Sequence, residues 1–425
     1  MQQSSLSQGF GAVWKDLFSS PVHLDSLLSR QTPKMKSLLA QILPQILLRP
    51  VSLAEDLGVG VTPGEPWSLS SEQLRVWSAA AQMAAELHDR FEGGKIPAPR
   101  VLQEDFPPLF VGDMEQDWGA TPALQLMEAL AQKAPMTLRL SSRVSRDQIL
   151  DTWKKSGKFP VRISATPFAP LGIQFADYTP VFHLPEYEQG DFEIQDEGSQ
   201  VMALFALDPT RVASVLSPIP SAPQTRSKPL DLPELRWSGF KVVDACAGAG
   251  GKSLALADLM KGQGRVFSYD ISERKIQALR RRATRAHLNN IQGMALPEGG
   301  EAAALARFEG TADRVLVDAP CSGWGVLRRN PDIKWRQDPQ ALQRFPDLQL
   351  RLLEVYSSLV KPGGILSFGT CTFRKAETLH VVQAFNERSH NRFRPIAGGY
   401  FGPSSSSSSP DGFFMHAWER ITDSK

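Results

Sequence analysis

At 425 residues, 42% hydrophobic and 22% charged, the chain has the make-up of a folded protein with buried cores, not of a disordered or fibrous one. Its formal net charge of +2 excludes recognition of nucleic acid by bulk charge, so any such affinity must come from local patches. The three cysteines are far apart and lack CxxC spacing, which argues against a disulfide framework and a zinc site, and no metal is expected; the polar N-terminus and the shortness of every apolar run point to a cytoplasmic chain with no membrane partner.

Residues 1–125 read as a helical domain. Pro33–Leu48 and Ser70–Phe91 carry apolar residues at helical spacing, separated by a loop around Gly58–Pro66. Residues 133–190 read as a small α+β domain: Met136–Leu140 is a strand, Ser145 caps a helix reaching Trp153, and PVRIS and GIQF are further strands. Residues 191–425 form the third unit, opening with a short strand and a helix within Gly190–Pro209. Ser217–Pro233 is a Pro- and Ser-rich loop. From Lys241 strands and helices alternate: KVVDA, a helix from Ser253, RVFSYD, a helix from Ser272, RVLVDAP, a helix over Leu348–Val360, then GGILSFG. That alternation predicts a doubly wound parallel sheet. Ser404–Ser409 is a surface loop.

Two strand ends carry the first chemical signal. Asp244 ends an apolar strand and is followed by Cys246, Ala247, Gly248, Ala249, Gly250, Gly251 and Lys252, then a helix. Small residues let backbone approach a ligand, and the helix start offers unpaired N–H groups. About twenty-six residues on, a second strand ends in Asp270, placed to accept both hydroxyls of a ribose. The turn lacks the GxGxxG of dinucleotide sites, and its first glycine is misplaced for a P-loop. A plain strand-to-helix turn is the alternative, which Asp270 disfavours.

The second signal is a pair of cysteines. Asp318 and Cys321 follow one apolar strand and Cys371 follows the next, with one helix between them. Adjacent parallel strands would bring both thiols and Asp318 to one crevice at their carboxyl ends. A lone cysteine is more often a small buried hydrophobe; two at equivalent positions favour chemistry. Cys246, inside the glycine turn, is read as packing or cofactor contact. Arg280–Arg282 with Arg285, and Arg328, Arg329, Lys334 and Arg336, are candidate phosphate contacts. Trp324 and Trp335 are candidates for base stacking or for the core.

The motifs DACA…GGK, DAPCSG, RRNPDIKW, GTCT and DGFF (Asp411–Phe414), with QDEGSQ at Gln195–Gln200, resemble the RNA 5-methylcytosine methyltransferases of the Sun/Nol/Nop family over roughly residues 133–420. RRNPDIKW and the helical N-terminal region are most similar to the bacterial RsmB type, which acts on 16S rRNA. The resemblance implies a Rossmann-like class I methyltransferase domain using S-adenosyl-L-methionine, preceded by a ferredoxin- or RRM-like α+β domain and a helical RNA-binding or accessory domain. It implies Cys371 as the nucleophile on cytosine C6, Cys321 as the group aiding release, Asp318 at the N3/N4 edge of the base, and Lys252 orienting base and cofactor. Cys246–Lys252, Asp270 and Asp318 would line the cofactor site, and the partner would be small-subunit ribosomal RNA bound by a monomer. Two departures stand out. Gly248 and Ala249 replace the family's Ala-Pro, and Leu296 falls where the family often has an acid. The competing readings are a transfer RNA methyltransferase and a catalytically silent RNA-binding assembly factor.

Overall fold

The computed structural model describes residues 105–220, 229–335, 337–403 and 409–422, with scattered residues between 13 and 48. The expected helix Ser70–Phe91, the loop Gly58–Pro66, Arg336, the side chain of Trp335, most of the Ser404–Ser409 run and residues 221–228 of the Ser217–Pro233 loop lie outside the described residues. Of Pro33–Leu48, the described positions 39, 42–44 and 46–48 are helical. The chain divides into two compact units, residues 1–133 with 323–339, and residues 134–322 with 340–425.

In the first unit, helices α1 (Pro108–Trp118) and α2 (Ala120–Leu130) are separated by Gly119 at φ +84°. Their buried faces present Phe110, Met114, Leu126, Met127 and Leu130. The segment 323–339, which the sequence places within residues 191–425, groups with this compact unit. Its Trp324 is 1% exposed and packs on Phe110 with ring centroids 4.5 Å apart, so the indole is core and is not a platform for bases.

The second unit begins with a four-stranded antiparallel sheet. Strands β1 (Met136–Leu140), β2 (Ile163–Ala165), β3 (Gly172–Phe175) and β4 (Phe192–Ile194) are ordered β2-β3-β1-β4. With α3 (Arg146–Ser156) after β1 and α4 (Pro185–Glu188) before β4, this is the split βαβ of ferredoxin-like domains. Ser145 caps α3 by accepting from Gln148 N, and Gly157 closes it in the left-handed conformation. Trp153, Leu138, Ile173, Phe175 and Phe192 form its core. The closing strand lies just beyond the expected boundary at residue 190.

Helix α5 (Glu197–Leu207) follows, capped by Asp196, and the short helix α6 (Pro209–Ala213) succeeds it. Ten of the eleven residues of α5 are buried, including Val201, Leu204 and Phe205, in a core shared with Ala255, Leu256 and Leu259. Each such side chain contributes about 1.5–3 kcal/mol by leaving water.

The large sheet has seven strands: β5 (Lys241–Asp244), β6 (Arg265–Asp270), β7 (Ile291–Ala295), β8 (Ala312–Asp318), β9 (Val360–Thr370), β10 (Phe393–Phe401) and β11 (Phe413–Arg420). Their order is β10-β11-β9-β8-β5-β6-β7. Strands β5 to β9 are parallel, and β11 inserts antiparallel between β9 and β10. Helices α7 (Gly251–Leu259), α8 (Glu273–Arg285), α9 (Glu301–Leu305), α10 (Pro339–Ser357) and α11 (Leu379–Arg388) connect these strands. Helix α10 starts earlier than the expected Leu348 because it runs through Pro346. The strand order reverses between β5 and β8, and ligands of doubly wound sheets bind at that point, beyond the carboxyl ends. Among the described residues no helix is long and apolar enough to cross a membrane.

Candidate active site

The turn after β5 is built by close backbone contacts. Gly250 sits at φ +89°, and a Cβ there would lie 2.6 Å from Leu279 Cγ, so the position admits only glycine without displacing α8. Gly250 N donates to Ala247 O and Leu254 N donates to Gly250 O, which starts α7. The proline missing from this turn has replacements: Asp270 Oδ2 accepts from Gly248 N at 2.9 Å, and Arg282 donates to Ala249 O at 2.7 Å. Asp270 Oδ1 accepts from Ser272 N at 2.8 Å. A Cβ built on Gly248 would meet nothing within 4 Å, so the turn faces open space.

Beneath the turn, Asp244 is fully buried. Its Oδ2 accepts from Ser253 Oγ at 2.6 Å, while Oδ1 is buried with no protein partner. Burial pushes its carboxyl up to about 7. Burial, helped by the carboxylates of Asp318, Asp244 and Asp270, also pushes the Cys246 thiol upward. Cys246 is therefore a neutral thiol and a poor nucleophile.

At the end of β8, Asp318 Oδ2 accepts from Lys252 Nζ at 2.6 Å. Burial opposes the Lys252 charge, but the Asp318 carboxylate outweighs it and holds the ammonium above its ordinary value, with Asp244 and Cys371 adding to the effect. Lys252 also lies over the Phe413 ring, 5.6 Å from its centroid. That ring rests where a Cβ on Gly198 would come within 2.4 Å of it, so the EGSQ and DGFF stretches meet at Lys252.

Register pairing of Asp318 with Gly369 aligns the ends of β8 and β9. The two thiols converge as the spacing predicted, with Cys321 Sγ 3.2 Å from Cys371 Sγ and no disulfide between them. Ser322 Oγ and Thr372 Oγ1, the next residue of each loop, share a hydrogen bond of 2.7 Å. Sequence reasoning missed what lies behind them. Glu377, 0% exposed, accepts from Ser322 N at 2.8 Å, from Gln349 Nε2 at 3.2 Å and from Arg374 Nη1 at 3.0 Å. An acid six residues after a cysteine carries no local pattern that separates it from a surface residue.

The cationic candidates divide differently from expectation. Arg328 is 3% exposed and donates to Lys133 O at 3.1 Å. Lys334 is 2% exposed, donates to Leu48 O and Asp105 O, both at 2.7 Å, and lies over the Phe106 ring. Burial pulls its ammonium down to about 7. Both are internal cations of the first unit, which corrects the expectation that they meet phosphate. Arg329 is half-exposed, and Arg336 is outside the described residues. Arg282 and Arg285 pair with Glu193, and Arg285 stacks on Tyr187 at 3.7 Å. These two fasten α8 to the small sheet. Across the same seam Arg139 donates to Asp258 at 2.7 Å and to Gln195 at 2.8 Å, while Gln195 donates to Gly251 O at 3.0 Å. Gln195 thus ties QDEGSQ directly to the glycine turn. Leu296 is buried and its N–H donates to Asp270 O, while Glu298 beside it is exposed.

Residues 237–406 match the family described as 16S rRNA methyltransferase RsmB/F. The "Probable ribosomal RNA small subunit methyltransferase B" of Bacillus subtilis is 36% identical over 309 residues, covering 72% of this chain and 61% of that one. The chain therefore spans about three fifths of that relative's length. Among solved structures, PH0851 superposes with a TM-score of 0.68 at 19% identity, covering 97% of this chain and 99% of that one. NSun6 from Pyrococcus horikoshii gives a TM-score of 0.58 at 15% identity over 75% of this chain and 99% of its own. These two likenesses are of fold: a Rossmann-like, doubly wound seven-stranded sheet preceded by a small α+β sheet. The chain is thus homologous to the RsmB/F family of 16S rRNA methyltransferases, with the family match running over residues 237–406.

Proposed function

We propose that the protein transfers a methyl group from S-adenosyl-L-methionine to carbon 5 of a cytosine in small-subunit ribosomal RNA. The observation that carries this reading is the 3.2 Å approach of the Cys321 and Cys371 thiols beside the Lys252–Asp318 pair. Methyl transfer to oxygen or nitrogen gives two thiols no task.

The cofactor fits the residues present. Asp270 has acceptor capacity beyond its two backbone donors, Gly248 opens onto free space, and Asp244 Oδ1 is buried without a partner at the switch point. When bound, the cofactor supplies an electrophilic methyl group on a sulfonium. Cys246 to Lys252 and Asp270 would hold it.

The remaining chemistry belongs to the side chains. Cytosine C5 is a poor nucleophile. The Cys371 thiolate adds to C6, and the electron pair moved to C5 makes that carbon an enamine terminus able to take the methyl group. Asp318 accepts from the N4 amino group at the N3/N4 edge, where uracil presents the acceptor oxygen O4 instead, and Lys252 keeps Asp318 oriented. Cys321 then removes the C5 proton. The C5–H electron pair restores the double bond to C6, and the C6–S bond breaks to return Cys371. The target base must leave its stack to reach the crevice, which favours naked or partly folded RNA.

Offering the protein naked small-subunit RNA, assembled subunits and transfer RNA, then mapping 5-methylcytosine, tests the substrate. Methylation of naked small-subunit RNA is expected. Modification of transfer RNA alone, or of none of the three, contradicts the reading. We further propose a cytoplasmic monomer.

A further inference from the structure

We infer that Glu377 is a positioning residue that sets the separation of the two thiols; this rests on the thiol chemistry proposed above. One buried carboxylate reaches both cysteine loops. Oε2 accepts the backbone N–H of Ser322, the residue after Cys321, at 2.8 Å. Oε1 accepts from Arg374, three residues after Cys371, at 3.0 Å. The third tie is to α10: Gln349 Nε2 donates to Glu377 Oε2 at 3.2 Å and to Pro320 O, the residue before Cys321, at 2.8 Å. Arg374 also donates to Leu342 O on α10 at 3.1 Å. Both loops are therefore fixed to the same helix, and Glu377 is the side chain that bonds to the Cys321 loop, the Cys371 loop and α10 together.

The physical argument is one of tolerance. The loops end different strands, and a thiol that adds to C6 and a thiol that strips C5 must serve adjacent atoms of one ring. Reaction geometry of this kind loses rate steeply with displacements of about 1 Å. Loop backbone outside a strand ladder holds such a position only where its polar groups are tied down. A charged acceptor at 0% exposure makes stronger, shorter bonds than water offers a surface loop.

The test reads thiol geometry independently of methylation. Diamide takes two electrons and two protons from a thiol pair, becoming the hydrazide, while an S–S bond of about 2.05 Å forms. In the full-length protein, Cys321–Cys371 disulfide formation is followed by peptide mapping for wild type and Glu377→Gln. The amide retains the size and one acceptor but presents N–H groups to one of its donors. Arg374→Met, which removes the Cys371-loop tie to Glu377 together with the bond to Leu342 O, stands in should Glu377→Gln fail to fold. Maleimide labelling of Cys246, which sits in a different turn, reports on the rest of the fold. The expected result is disulfide formation slowed at least about fivefold with Cys246 labelling unchanged, and a fall in kcat for RNA with KM held. An unchanged oxidation rate, or a Cys246 that becomes reactive in parallel, overturns the inference. Should wild type oxidise fast and the variant slowly while no RNA is methylated, the positioning claim stands and the proposed function fails.

Discussion

Lys252 Nζ lies 2.6 Å from Asp318 Oδ2, joining the glycine turn after β5 to the end of β8 across the point where the strand order reverses. The pair is part-buried, with side chains 13% and 24% exposed, so it keeps more of its charge attraction than a surface pair would. It also makes Lys252 a structural neighbour of the thiols, since the same ammonium is favoured by charge on Cys371.

Replacing Lys252 with Met leaves Asp318 without its cation and removes a positive charge from the thiol crevice. Loss of a charge-assisted hydrogen bond of this kind costs about 1.5–3 kcal/mol. We expect kcat for RNA methylation to fall roughly 10- to 100-fold, with circular dichroism unchanged. Full activity in Lys252→Met would assign the lysine to the solvated start of α7 instead.

Asp270 is the proposed ribose acceptor, and its two oxygens are held by Gly248 N and Ser272 N. Asp270→Asn retains one acceptor and the side-chain size. Isothermal titration calorimetry should show S-adenosylmethionine binding weakened about 10- to 100-fold, the equivalent of one or two charged hydrogen bonds. Asp270→Ala should bind at least as weakly, with loss of the Gly248 tie as a second cause. Unchanged affinity in the Asn variant contradicts the site.

Glu197 predicts a pH effect on stability. Its Oε1 accepts from Phe168 N at 2.6 Å and Ala169 N at 2.8 Å, while Oε2 is buried without a partner. Burial pushes the carboxyl up to about 7 from an ordinary 4.5. A raised folded-state value means the folded protein holds its proton more tightly than the unfolded chain. The stabilisation is then complete below about pH 4.5 and is lost as pH rises through about 7. Asp244 contributes in the same window and direction. In urea titrations, Glu197→Gln should therefore flatten part of the decline between pH 5 and 8. A variant with the wild-type pH slope would show that Glu197 is ionised in the folded protein.

Much of the fold is legible in the residues, for identifiable reasons. VVDA, RVFSYD and RVLVDAP are central parallel strands buried on both faces, and such strands read as continuous apolar runs. Strand β7 does not: its residues alternate between exposed and half-buried at the sheet edge, with Gly293 inside it. Strand β10 contains Pro395, Gly398 and Gly399, which break the expected pattern, although β11 covers it. The cysteine pair was legible because strand adjacency follows from one intervening helix. The fate of Arg328 and Lys334 was not, because charge is visible in a sequence and burial is not. The carbonyls that bind Lys334 belong to Leu48 and Asp105, more than two hundred residues away. Glu377 was hidden for the same reason, since Ser322 and Gln349, two of its three partners, are distant in sequence.

The central claim, one thiol attacking and the other releasing, is tested by trapping. Cys321→Ala, Cys371→Ala and wild type are each incubated with S-adenosylmethionine and naked small-subunit RNA, then run on denaturing gels. Cys321→Ala can add to C6 but lacks the group that strips the C5 proton, so it should accumulate a covalent protein–RNA adduct. Cys371→Ala should form none. Adduct from Cys371→Ala, or equal adduct from both variants, would contradict the assignment.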